Sequence, residues 1–79
     1  MGDFAVWLSK LLINLDEGNL REALHCSDMA LYSVESMKDD PGNEDLAKVY
    51  FARGKVLQKM GKKDDARSCF RIMEEISTR

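Results

Sequence analysis

Two stretches of the chain superpose when one is shifted by 43 residues: Gly18 falls on Gly61, Ala23 on Ala66 and Cys26 on Cys69. Upstream, Trp7 stands eleven residues before Gly18, and Tyr50 eleven before Gly61. Self-similarity at such a period means stacked supersecondary units, none of which can bury its apolar face alone.

The second unit shows what each copy is. Apolar or small residues fall at Tyr50, Phe51, Gly54, Leu57 and Met60, and again at Ala66, Cys69, Phe70, Met73 and Ile76, with Gly61 and two lysines between. Spacings of three and four on both sides of a glycine predict two amphipathic helices joined by a tight turn. Gly54 lies inside the first of them, where glycine costs about 1 kcal/mol relative to alanine. Close approach of the next helix at the equally small Ala66 is the expected compensation.

In the first unit a helix runs from about Asp3, its expected N-cap, to Leu15, and Asp16-Glu17-Gly18 ends it. Trp7 and Leu11 point one way and Leu8 and Leu12 roughly 100° around, so more than one stripe is apolar. Trp7 is expected in the core, with a cost of about 3–5 kcal/mol on truncation to alanine. Asn19 and Glu22 read as a capping box for a second helix. Its small residues Ala23, Ser27 and Ala30 share a face that lets a neighbour approach. Lys38 to Asn43, with Pro41, form a linker. Asn43 or Asp40 is the expected cap of a third helix that ends at Gly61, and a fourth runs from Asp64 to about Ser77. Acidic residues in the first turns of both suit the helix dipole.

Composition agrees with one all-α domain over residues 1–79. Hydrophobic residues make up 44% of 79, enough for a core and too many for a disordered chain. With 12 basic and 14 acidic residues well mixed, nothing argues for nucleic acid or an anionic membrane as partner. Asp3 precedes the apolar stretch from Phe4 to Leu15 and Lys10 interrupts it, so it reads as a helix and not as a signal peptide. A cytoplasmic chain is expected. Cys26 and Cys69 occupy equivalent places in successive units roughly 10 Å apart, too far to bridge, and are expected to be free thiols.

The two units resemble tetratricopeptide repeats, whose signature runs Trp-x2-Leu-Gly-x2-Tyr, then Ala-x3-Phe, then Pro. Tyr50, Gly54 and Leu57 followed by Ala66-x3-Phe70 match in the second unit, with Arg53 in place of the leucine and no closing proline. In the first, Trp7, Ala23 and Ala30 match, while Lys10, Leu11, Asn14 and Ser27 depart. The resemblance covers nearly the whole chain. It implies a right-handed solenoid fragment of two stacked antiparallel hairpins: repeat one over about 4–37, linker 38–43, repeat two over about 44–79. It further implies a groove, lined by the first and third helices, that holds peptides or helices. The residues turned into it would be Ala5, Leu8 and Leu12 from the first helix and Lys48, Phe51, Lys55 and Lys59 from the third. Such a groove is apolar at one end and basic at the other, suited to an aliphatic segment with carboxylates. The family's lysine and asparagine clamp for a C-terminal carboxylate does not carry over, because Leu8 and Leu12 stand in its place. Leu8 and Leu12 read equally well as covered by this chain or by a second copy, and the lysines as a solvated face.

No catalytic constellation emerges. His25 and Cys26 are adjacent and point about 100° apart on a helix, so they form no nucleophile–base pair. One histidine and two distant cysteines make no zinc site. The pairs Asp39-Asp40, Asp64-Asp65 and Glu74-Glu75 read as solvated charge. No cofactor, metal or enzymatic activity is expected. The function that follows is protein–protein interaction through the groove. Self-association is also expected, because Ile72, Met73 and Ile76 of the last helix have no later helix to cover them; a homodimer is the commonest closed form. Two other readings stand beside it: an excised piece of a larger solenoid, and a three-helix domain resembling the microtubule-interacting-and-transport type, suggested by DEGNLREAL, which would leave the fourth helix outside its bundle.

Overall fold

The structure is a computed structural model that describes residues 3–36 and 42–78. Its four helices are α1 (Asp3–Glu17), α2 (Leu20–Glu35), α3 (Asn43–Lys59) and α4 (Lys63–Ser77). The fold is all-α, with no strand among the described residues. Residues 37–41, which hold most of the expected linker and the candidate cap Asp40, lie outside them.

The two glycine turns are the same turn. Gly18 and Gly61 have φ of 81° and 84°, the left-handed region that a side chain disfavours. At the first, the Gly18 amide donates to Leu15 O (3.2 Å) and the Asn19 amide to Asn14 O (2.8 Å). At the second, Gly61 donates to Gln58 O (3.1 Å) and Lys62 to Leu57 O (2.8 Å). This pair of bonds, satisfying the last free carbonyls of a helix, is a Schellman motif. Its recurrence 43 residues apart gives the sequence repeat a backbone counterpart.

The helix starts differ from expectation. Asn19 flanks α2 but makes no side-chain cap bond; its amide lies 3.4 Å from Asn14 Oδ1 and 3.3 Å from Glu17 Oε1. Because Asn19 also closes the Schellman turn, its ψ is 75°, not the extended value that aims a capping side chain at the next turn. Asn43 is the first residue of α3 and Gly42 stands at its N-cap. Asp3 is likewise already helical, and α4 begins one residue before Asp64. The acidic first turns, Glu44-Asp45 and Asp64-Asp65, are as expected.

Packing centres on α3, which touches all three other helices, whereas α4 packs, among the described helices, on α3 alone. One core cluster joins the hairpins: Phe4 and Leu11 of α1, Ala23, Cys26 and Ala30 of α2, and Val49, Ala52 and Val56 of α3. Ala23, Ser27 and Ala30 are all fully buried, as a small-residue face against a close neighbour should be. Leu57, Ala66 and Cys69 form a second cluster within the α3–α4 hairpin. Three expectations change. Trp7 is only partly buried, at the rim of the main cluster, and Leu11 is at its centre. Gly54 is approached by the ring of Phe70, with a position for a Cβ only 2.6 Å from it, and not by Ala66. Ile76 is buried within the chain, since antiparallel packing brings the end of α4 beside the start of α3.

A candidate docking cleft on the third helix

Consecutive turns of α3 present Glu44, Ala47, Lys48 and Phe51 on one side, where Leu12 of α1 and Met73 and Ser77 of α4 close over them. The result is an open cleft of about 290 Å³. Leu12 and Phe51 are 45% and 46% exposed, so two large apolar side chains from different helices meet water at one place. Single exposed apolar residues need no explanation, but a pair converging on a concavity does. The Phe51 ring is also 6.0 Å from the Phe70 ring, tilted by 53°, and Lys55 Nζ stands 5.4 Å from the Phe51 centroid. Lys48 forms an exposed ion pair with Asp45 at 3.7 Å, worth little in itself.

Of the groove residues expected from the sequence, the structure brings Leu12, Lys48 and Phe51 together in this cleft, with Lys55 over the Phe51 ring. Leu8 instead packs partly against the main core. Ala5 and Lys59 are exposed outside the cleft lining. Met73, Ser77, Ala47 and Glu44 were not anticipated; Met73 follows Phe70 at helical spacing, the one signal that could have placed it.

Arg53, which breaks the apolar stripe of α3, has a structural use. Its Nη1 donates to Ser27 Oγ at 2.7 Å and to Asp28 Oδ1, clasping α3 to α2. Ser27 in turn donates to Leu24 O at 2.6 Å, so this buried hydroxyl is satisfied on both sides. His25 is exposed, edge-on to Trp7 at 5.9 Å, while its neighbour Cys26 is fully buried; the two diverge as helical geometry requires.

Both cysteines are free. Burial pushes the Cys26 thiol up, with help from Glu22. Burial also raises Cys69, and Arg53 works against it. Tyr50 is raised in the same way, first by burial and then by Cys69. The folded chain therefore keeps protons that the unfolded chain releases in alkali. This contribution to stability is complete below the ordinary thiol value of 9.0 and is lost as pH rises through the folded-state values. Urea midpoints should hold from pH 7 to about pH 9 and fall above it, less steeply in Cys26→Ala. An unchanged midpoint would place the thiols in water.

Compared with protein-family models, with curated proteins and with solved structures, the chain matches none of them. No helix among the described residues is long and apolar enough to cross a membrane.

Proposed function

We propose that the chain is a cytoplasmic, non-enzymatic protein–protein interaction module built of two tetratricopeptide-like hairpins, which holds a peptide or helix in the cleft on α3. The observation that carries this reading is the convergence of Leu12 and Phe51, both about half exposed, on one concavity with Met73 as its third apolar wall. Apolar anchors in a pocket with charged groups at the rim are how a short helical segment is held. The rim carries Lys55 beside Phe51, and Lys48, paired with Asp45, next to Glu44, so the ligand is a segment with aliphatic side chains at helical spacing and a carboxylate directed at Lys55. Neither nucleic acid nor membrane is part of this reading. The matched Schellman turns support the two-repeat view, since they put one supersecondary unit twice in the chain.

Fluorescein-labelled peptides bearing leucines at helical spacing and flanking glutamates test it by anisotropy. Leu12→Asp and Phe51→Ala should each weaken binding by about tenfold or more, roughly 1.4 kcal/mol, and leave helicity unchanged because both sites are half exposed. Lys55→Glu should weaken acidic peptides selectively and shift stability by no more than about 0.5 kcal/mol. Equal affinity in the parent and both apolar variants refutes the cleft as the site.

A further inference from the structure

The 43-residue shift also pairs α1 with α3 position by position, and the two helices differ in what covers them. Val49 and Val56 seat α3 on the α1–α2 hairpin and are fully buried. Their counterparts in α1 are Val6 and Ile13, which are 52% and 58% exposed. They lie roughly 100–120° around α1 from Leu12, the residue that faces α3 across the cleft. Ala52, small at the seat, corresponds to Ser9. Thus α1 presents the same seat-making pattern as α3, with nothing among the described residues for it to sit on.

On its far side, the α3–α4 hairpin has a receiving face that no helix among the described residues covers. Phe70 and Ala66 line a cleft of about 280 Å³ on that hairpin, and Phe51 and Met73 line the one described above. We propose that α1 of one copy seats on the α3–α4 hairpin of the next, as α3 seats on the α1–α2 hairpin within each chain. Copies then stack head to tail. The inference rests on the reading of this hairpin as a docking surface and names its occupant.

Charge favours this pairing at one end. In the intrachain seat, Met60 of the C-cap of α3 and Leu20 and Leu24 of α2 pack around the same core cluster. Their counterparts are Glu17 on the incoming α1 and Lys63 and Arg67 on the receiving α4, so apolar residues flanking the seat give way to opposite charges on its two sides. At another point charge opposes it. The Arg53–Asp28 clasp becomes Lys10 against Arg71, two cations. The stack is accordingly weaker than the intrachain seat, and reversible. Since donor and acceptor surfaces differ, the contact does not close on itself at two copies.

Sedimentation equilibrium of the full chain over a broad concentration range reads this directly. Weight-average mass should climb past two copies without a plateau. Ile13→Asp should weaken association by about tenfold or more, and Arg71→Asp, which restores the acidic partner of the clasp, should tighten it by about as much. A single-copy mass throughout, a plateau at two copies that survives Ile13→Asp, or an Arg71→Asp chain no tighter than the parent overturns the proposal. Ile13 lies outside the peptide cleft, so the monomeric Ile13→Asp chain also separates the two readings. If it binds peptide while the parent never self-associates, only the stacking fails; self-association without peptide binding in any variant removes only the peptide.

Discussion

Replacing Leu11 by alanine is expected to cost about 4 kcal/mol, the largest loss of any single truncation in α1. Leu11 is fully buried at the point where α1, α2 and α3 meet. Its cluster otherwise consists of Phe4, Ala23, Cys26, Ala30, Val49, Ala52 and Val56, mostly short or β-branched side chains with little reach into the space it leaves. A domain of this size has roughly 4–12 kcal/mol in total, so the variant should lose between about a third and all of its stability. Trp7→Ala, by contrast, should cost about 2 kcal/mol. The indole is partly exposed, edge-on to an exposed histidine and with Lys10 Nζ 4.9 Å from its centroid, so part of its surface never leaves water. Urea denaturation followed by circular dichroism orders the two. A Trp7→Ala chain less stable than Leu11→Ala would put the centre of the core at the indole.

The hairpins were legible because their signals are local. A glycine between two helical periodicities must adopt positive φ to reverse the chain, and both do so with the same pair of hydrogen bonds. Helix caps were less legible, since capping depends on a ψ set by the preceding turn: Asn19 has the right chemistry and the wrong backbone. Leu12, Lys48 and Phe51 could be grouped by helical spacing and resemblance. Ser77 could not, and Met73 only through its helical spacing from Phe70, because their presence in the cleft depends on how α4 is rotated against α3. The same rotation buried Ile76, which spacing alone left uncovered. Arg53 is the clearest case of information absent from the local pattern. It interrupts an apolar stripe, and only the stacking of one hairpin on the other shows that its guanidinium reaches Ser27 and Asp28.

Gly54 occupies in the second unit the place of Leu11 in the first, and Phe70 the place of Ser27. The large residue is thus on the leading helix in one hairpin and on the trailing helix in the other. A Cβ at Gly54 would stand 2.6 Å from Phe70 Cε1 and 2.9 Å from two further ring atoms, closer than any real packing allows. The ring is rigid, so it can yield only by turning as a whole out of its contacts with the Leu57–Ala66 cluster and Phe51. Gly54→Leu should therefore cost about 3 kcal/mol or more through overpacking, even though leucine is the better helix former by about 1 kcal/mol. Phe70→Ser alone should also destabilise, by removing the ring that covers Gly54. Combined, the two changes write the pair of the first unit into the second, and the leucine fills the space the ring leaves. The double variant should recover about 2–3 kcal/mol relative to the sum of the single losses, a coupling at the upper end of what contacting residues show. Strictly additive losses would mean that Gly54 and Phe70 do not meet as described. Recovery would mean that the two hairpins are alternative solutions to one packing problem, the physical content of the 43-residue repeat.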